Sequence, residues 1–184
     1  MTWYCDVAPG HPVHGPYHDE EYGFPLVDDR ALFERLSLEI FQAGLSWLIV
    51  LKKRPALVAA FDGFDPAVVA AYGEAEVERL MNDAGIIRNR RKIAATIENA
   101  RLLLMIQASH GSLAAWIAAH HPLAKPQWIK LFKQSFVFMG GEVVGEFLMS
   151  IGYLPNAHRE DCPAFARIKA LNPPWMAVGT AFYG

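Results

Sequence analysis

Apolar residues recur along most of this chain at three- and four-residue intervals, and no sustained alternation of apolar and polar positions interrupts them, so the pattern predicts an all-α protein. Counted from a cap at Asp28 or Asp29, Leu32, Phe33, Leu36 and Ile40 form one apolar stripe with Glu39 at its edge. That phase aims a carboxylate at the core. The alternative is a glutamate lying flat along the helix surface. Gly44 then ends the helix, Leu45 stands exposed in the turn, and Ser46 caps a restart that carries Trp47 and runs into Lys52, Lys53 and Arg54. An inward acid, an apolar tip, a large aromatic and a cationic run thus fall within a few turns of chain.

The residues before Pro25 are punctuated by Pro9, Gly10, Pro12, Gly15, Pro16 and Gly23 too often for regular structure, so a loop-rich segment is expected there, in need of an anchor. Further on, Pro55 to Phe61 reads as a helix with proline in its first turn. Asp65 caps a second from Pro66 to Tyr72, and Glu74 to Asn82 carries Val77, Leu80 and Met81 at helical spacing. Asn89 caps the longest helix, to about Ala108, with Ile93, Ala94, Ile97, Ala100 and Leu104 inward. Ser112 opens another toward His120. A break follows between His121 and Gln127, then helices near Trp128 to Phe132, Gly141 to Ile151, and after Pro163.

The chain has 184 residues, 53% of them hydrophobic and 12% aromatic, enough for one real core or two packed helical lobes. No uncharged apolar run approaches the ~20 residues of a membrane span, and the first residues show neither a basic nor an apolar leader region, so a cytoplasmic protein with no membrane partner is expected. A formal net charge of −2 argues against binding nucleic acid by bulk electrostatics but leaves room for a local basic face.

Such a face is present between Leu80 and Ile93. A helix ends near Gly85, Ile86 and Ile87 turn inward, and a new helix starts at Asn89 with free amides beside Arg88, Arg90, Arg91 and Lys92. Free N–H groups and the positive end of the dipole make that junction a phosphate site; the plainer reading is a tight turn with a solvated basic end. A second constellation draws on both ends of the chain. His158 and Cys162 lie at i, i+4, and with Cys5 and His18 they make a two-Cys, two-His tetrahedral set suited to zinc, which would pin the proline-rich N-terminus to the C-terminal helices. The two cysteines alone would equally fit a disulfide or idle thiols, the former disfavoured in a reducing compartment. His11, His14, His110, His120 and His121 read as ordinary polar residues.

Four strings carry a resemblance: Tyr17-His18-Asp19-Glu20-Glu21-Tyr22-Gly23-Phe24-Pro25; Gln42-Ala43-Gly44-Leu45-Ser46-Trp47 with Leu51-Lys52-Lys53-Arg54; Asn82 to Arg90 with Lys92-Ile93; and the Cys5, His18, His158, Cys162 set. Together, over roughly Trp3 to Cys162, the chain resembles the 3-methyladenine DNA glycosylase I family, a zinc-containing branch of the helix-hairpin-helix glycosylases. The resemblance implies a base-excision repair enzyme that flips 3-methyladenine out of alkylated double-stranded DNA and hydrolyses its N-glycosidic bond as a monomer. Glu39 matches the acid that bonds the flipped base and serves catalysis; Tyr17 and Trp47 match the aromatics that stack on it. Gly44 and Leu45 match the turn that plugs the duplex, Gly85, Arg88, Asn89, Arg90 and Lys92 the phosphate anchor, and the four ligands a structural zinc. The implied organisation is a helix-hairpin-helix lobe over about 31–109 and a zinc-stapled lobe of about 1–30 with 110–184.

The sequence also departs from that pattern. Val7 stands where a tryptophan is common, His14 where a pocket tyrosine is common, and Phe138-Met139-Gly140-Gly141-Glu142 with Gly145 replaces a Thr- and Tyr-bearing string. Two other classes fit parts of the chain: a catalytically silent binder of damaged DNA, and a metal-dependent hydrolase, disfavoured because four protein ligands leave zinc no open position for water.

Overall fold

The computed structural model describes residues 2–184. Among them the chain forms twelve α-helices and no strand: α1 (Tyr4–Val7), α2 (His14–Glu20), α3 (Asp29–Gln42), α4 (Trp47–Ala60), α5 (Pro66–Ala70), α6 (Glu74–Met81), α7 (Arg90–His110), α8 (Leu113–His120), α9 (Lys125–Ser135), α10 (Gly141–Ser150), α11 (Pro163–Ala170) and α12 (Pro174–Val178). Short 3₁₀ turns lie at Asp62–Phe64 and Thr180–Phe182.

The axis of the fold is α3. Its cap is Asp28, whose carboxylate accepts from the Ala31 N–H at 2.9 Å. Nearly every residue from Leu32 to Phe41 is buried, because α3 packs at once against α4, α7, α8 and α10. Asp29, the other candidate cap, serves a different helix. Its two oxygens accept from the Leu113 and Ala114 N–H groups at 2.9 and 3.1 Å and from the Gln107 amide at 2.8 Å, tying the start of α3 to the start of α8. One large core runs from Phe33 and Phe41 through Phe61 and Phe64 to Trp128, Phe132 and Phe147. Smaller clusters form around Tyr17, Tyr22 and Leu51 and around Cys5, Cys162 and Ala164.

Four expectations change. The first 25 residues hold α1 and α2 in place of loop. The N-terminus of α2 is capped by the His11 ring, whose Nδ1 accepts from the Val13 and His14 N–H groups at 3.1 Å each, a role that turn-residue counting does not detect. Pro55 lies within α4 and not at a helix start; it sits on the exposed face and leaves the carbonyl one turn back, that of Leu51, without its helical partner. In α7, Ala94 faces solvent and Leu104 is half-buried, and the inward stripe is Ile93, Ile97, Ala100, Leu103 and Ile106. The fourth is α12, which carries the buried Trp175 and was not separated from its predecessor by pattern. No single helix among the described residues is long and apolar enough to cross a membrane.

Asp29→Ala removes two hydrogen bonds that join α3 to α8 and one that joins it to α7, whereas Asp28→Ala removes one exposed cap. The expected costs are about 2–3 kcal/mol and about 1 kcal/mol respectively, read as shifts in urea midpoint at unchanged m. Equal costs would mean that the Asp29 bridge adds nothing beyond an ordinary cap.

Candidate active site and metal centre

A cavity of about 690 Å³ opens between α3, the N-terminal segment and α10, within the range of small-ligand sites. The central helix delivers Glu39 to its floor, α2 brings Tyr17, and the first residue of α4 is Trp47. Glycine and serine set that last placement. Gly44 takes a left-handed φ of 81°, reversing the chain after α3, and the Ser46 hydroxyl accepts from the Ile49 N–H at 3.4 Å to start α4. The reversal leaves Leu45 38% exposed at the tip beside the cavity helix. Tyr17 and Trp47 meet edge to face with centroids 5.1 Å apart, forming an aromatic corner.

Glu39 is only 3% exposed, and its Oε2 has no hydrogen-bond partner among the described residues. Burial is the chief reason its pKa rises to about 8; the neighbouring Glu146 carboxyl raises it further, and Arg35 opposes both. Glu146 itself, from α10, also lines the cavity and accepts from the Tyr22 hydroxyl at 3.1 Å. Burial pushes its carboxyl up as well, against the Tyr22 hydrogen bond.

Behind the cavity lies a charged strut. Arg35, 4% exposed and one turn before Glu39, donates to Glu21 at 3.0 Å and to the Ser150 carbonyl at 3.3 Å, and its guanidinium sits 5.1 Å from the centre of the Tyr17 ring. Arg54 grips the same Glu21 carboxylate with two N–H groups at 2.7 and 2.9 Å and reaches Glu34 at 2.6 Å. Burial would raise the Glu21 pKa, but the two guanidiniums win and hold it below the usual carboxylate range. Arg54 is therefore part of the frame, not of a free basic face.

Cys5, His18, His158 and Cys162 come together as expected, all buried, with their ligand atoms within 4.8 Å of one another. The Cys162 sulfur lies 3.4 Å from His158 Nδ1 and 3.8 Å from His18 Nε2, and Cys5 lies 3.6 Å from His158 Nδ1. Tetrahedral zinc with ordinary bond lengths would separate sulfur from nitrogen by about 3.6 Å, so the set fits such an ion. The outer nitrogens are already committed: His158 Nε2 to the Tyr22 carbonyl at 2.7 Å and His18 Nδ1 to Asp19 at 2.6 Å, which fixes the inward nitrogens as ligands. Burial lowers the His158 pKa and raises that of Cys5. The expected helical turn between His158 and Cys162 is instead a loop, in which Cys162 precedes α11 as its N-cap; a turn delivers the two side chains just as well.

The third feature is the hairpin between α6 and α7. Asp83 folds it by accepting from the Gly85 N–H at 2.8 Å, Ile86 is buried, and Lys53 from α4 donates to the Gly85 carbonyl at 3.1 Å. A side chain at Gly85 would meet Asp83 at 3.0 Å and Ala56 at 3.3 Å, so glycine suits this close approach. Asn89 caps α7 by accepting from the Lys92 N–H at 3.1 Å. The N–H groups of Ile87, Arg88, Arg90 and Arg91 have no acceptor among the described residues. Arg88 is exposed and unpaired, whereas Arg90 pairs with Glu74 at 3.1 Å and with Glu78. Lys92 corrects the expectation. It is 5% exposed, and its ammonium donates to the Phe41 and Ala43 carbonyls at 2.8 and 2.6 Å, closing the C-terminus of α3 where a cation is favourable. An ammonium so held is not available to a phosphate.

Several cavity residues escaped pattern reading. Trp3 and Tyr4 line the wall, with the Tyr4 hydroxyl 2.8 Å from His14 Nδ1, while Val7 is 54% exposed and away from it. Tyr22, Lys125, Glu146 and Tyr183 also line it, and Glu142 is exposed outside. Of these, only Glu146 left a sequence signal: it is an acid set one helical turn from another acid, Glu142.

Comparison with known proteins places this geometry. The methyladenine glycosylase family model matches residues 7–129. The chain is similar to DNA-3-methyladenine glycosylase 1 of Escherichia coli (strain K12), 38% identical over 177 residues, covering 86% of this chain and 94% of that one. A solved structure of 3-methyladenine DNA glycosylase I from Staphylococcus aureus superposes with a TM-score of 0.80 at 34% identity, over 88% of this chain and 95% of that one. A single-residue variant of 3-methyladenine DNA glycosylase I, solved in complex with 3-methyladenine, gives the same TM-score of 0.80 at 33% identity, over 88% and 96%. On the extent of the match and the identity of these relatives, the chain belongs to the methyladenine glycosylase family.

Proposed function

We propose that this protein excises 3-methyladenine from alkylated double-stranded DNA by hydrolysing its N-glycosidic bond. The observation that carries the reading is the buried, unpartnered carboxyl oxygen of Glu39 in an aromatic-walled cavity. An orphaned acceptor of that kind has a cost that a donor on a ligand would remove. The relatives named for 3-methyladenine, and the complex with that base, support the choice of base.

Methylation at N3 makes adenine cationic in the nucleotide. When the bond from C1′ to N9 breaks, its electron pair goes to N9 and the base leaves neutral; water adds at C1′ and releases a proton to solvent. Such a bond is weak before any enzyme acts, so the protein's main tasks are extrusion and recognition. Glu39, with a pKa of about 8, is largely protonated near pH 7; a cationic base brings the charge that favours its carboxylate. The carboxylate then accepts from the exocyclic amine while Tyr17 and Trp47 stack on the ring. Neutral adenine supplies no such charge.

Leu45, exposed on the Gly44 turn, is assigned to the gap left by the extruded nucleotide. Arg88 and the unpaired amides around Asn89 are assigned to phosphate, with Gly85 giving the hairpin its close turn and Arg90 able to leave two exposed carboxylates. The cavity then lies between a helix-hairpin-helix lobe and a metal-stapled lobe, and the protein works as a monomer. One zinc ion is assigned to Cys5, His18, His158 and Cys162. Its role is to tie the chain ends together, since four protein ligands close the shell.

Three tests follow from this reading. Glu39→Gln is expected to fold and bind undamaged duplex like the wild type while releasing 3-methyladenine about 10- to 100-fold more slowly, the worth of one charged hydrogen bond. Unchanged release would reduce Glu39 to a structural acid. In a salt titration, Arg88→Ala should weaken damaged and undamaged duplexes alike and flatten the slope of log affinity on log salt by about 0.9, while Leu45→Ala should chiefly shorten retention on damaged sites. If Arg88→Ala binds with an unaltered slope, the hairpin is only a turn. Elemental analysis is expected to find about one zinc per chain, and Cys162→Ser to lose both zinc and thermal stability. Full stability in a zinc-free variant would remove the staple.

A further inference from the structure

The cavity holds more acid than a methylated adenine can use. One exocyclic amine suffices for Glu39, yet Glu146 faces the same space with a single hydrogen bond, from Tyr22, and no other protein partner among the described residues. Beside it the wall is bare. Gly145 has no side chain, and the stem of Lys125 takes that room: a Cβ at Gly145 would lie 2.7 Å from Lys125 Cε and 2.8 Å from its Nζ. Lys125 is exposed, begins α9 and makes no ion pair among the described residues, so its side chain can swing away or turn its ammonium inward.

A mobile donor next to an under-used acceptor is complementary to a definite edge. Guanine presents the O6 acceptor followed by the N1–H and N2–H₂ donors, an order that an ammonium and an adjacent carboxylate match. Methylation at N7 makes that base cationic and weakens its glycosidic bond, by the same chemistry as N3-methylation of adenine. Flipped bases are read along this edge.

We propose that Glu146 and Lys125 form a second reading edge in the cavity that admits cationic alkylated guanine, with 7-methylguanine as its test substrate. Glu146 accepts from N1–H and N2–H₂, and Lys125, whose stem lies over the side-chain-free Gly145, donates to O6. The bond cleavage is the same hydrolysis at C1′, with the electron pair going to N9 and no further reactant. The inference rests on the glycosylase reading of this cavity, and its test separates the two.

Duplex DNA methylated to carry both lesions is incubated with the wild type, Glu146→Ser and Lys125→Met, and both released bases are measured by chromatography. The wild type is expected to release 7-methylguanine as well as 3-methyladenine, and each variant to lower the ratio of the first to the second at least about tenfold, as loss of a charged hydrogen bond requires. Lys125→Met lies at the surface and keeps the assay open should Glu146→Ser fold poorly. Release of 3-methyladenine alone by the wild type would overturn the second edge and leave the main reading intact. An unchanged ratio in Lys125→Met and Glu146→Ser would overturn it too, making both residues mere wall. Release of neither base would remove the glycosylase reading and this inference with it.

Discussion

The structure depends on keeping one carboxyl group in an apolar interior without giving it all the partners it needs. Glu39 lies on a helix buried on nearly every side, and one of its oxygens is unpaired. Ionising such a group carries a desolvation cost, which is why its pKa moves upward to about 8. The cost is tolerable because α3 is anchored along its length. Its first turn is bridged to α8 by Asp29, its flank is held by the Arg35–Glu21–Arg54 chain of charged hydrogen bonds, and its last carbonyls are closed by Lys92. Each of these fixes the helix that carries the acid. A freer helix would roll Glu39 toward water and erase the site.

The same rigidity explains how distant stretches meet at one cavity. The N-terminal segment has too many turns to hold itself, and its shape depends on the Cys5 and His18 side chains reaching residues 158 and 162. That junction carries Trp3 and Tyr4 to the wall and, through the Tyr22 carbonyl held by His158, places the Tyr22 hydroxyl on Glu146. The Cys/His cluster and the cavity are therefore joined through Tyr22. A loss of the cluster would reach the cavity through Tyr22.

Features governed by neighbours in sequence were legible in advance. The Gly44 reversal, the Ser46 and Asn89 caps and the inward phase of Glu39 are all local rules, and each is found in the fold, whereas His158 and Cys162 meet in a loop and not on the helical turn their spacing suggests. What pattern reading missed was decided by contacts across the chain. Lys92 looks like its basic neighbours Arg88, Arg90 and Arg91, yet it directly precedes the buried Ile93, and that helical phase turns it inward onto the end of α3, fifty residues away in sequence. Lys125 lies over Gly145 and lines the same cavity as Glu146 only because α9 packs on α10. The short α1 and α2 formed where turn residues predicted loop, since a histidine cap and the cysteine cluster supplied what local propensity lacked.

The central claim is that Glu39 is a buried acid whose ionisation answers to a cation in the cavity. A carbon-13 NMR titration of the glutamate side-chain carboxyls, with Glu39→Gln used to assign the resonance, measures this directly. The account predicts that Glu39 titrates near pH 8 in the free protein, and that adding a cationic methylated adenine nucleoside moves its midpoint downward toward the ordinary carboxylate range. A midpoint near that of exposed glutamates in the free protein, or one that the cation leaves in place, would contradict it.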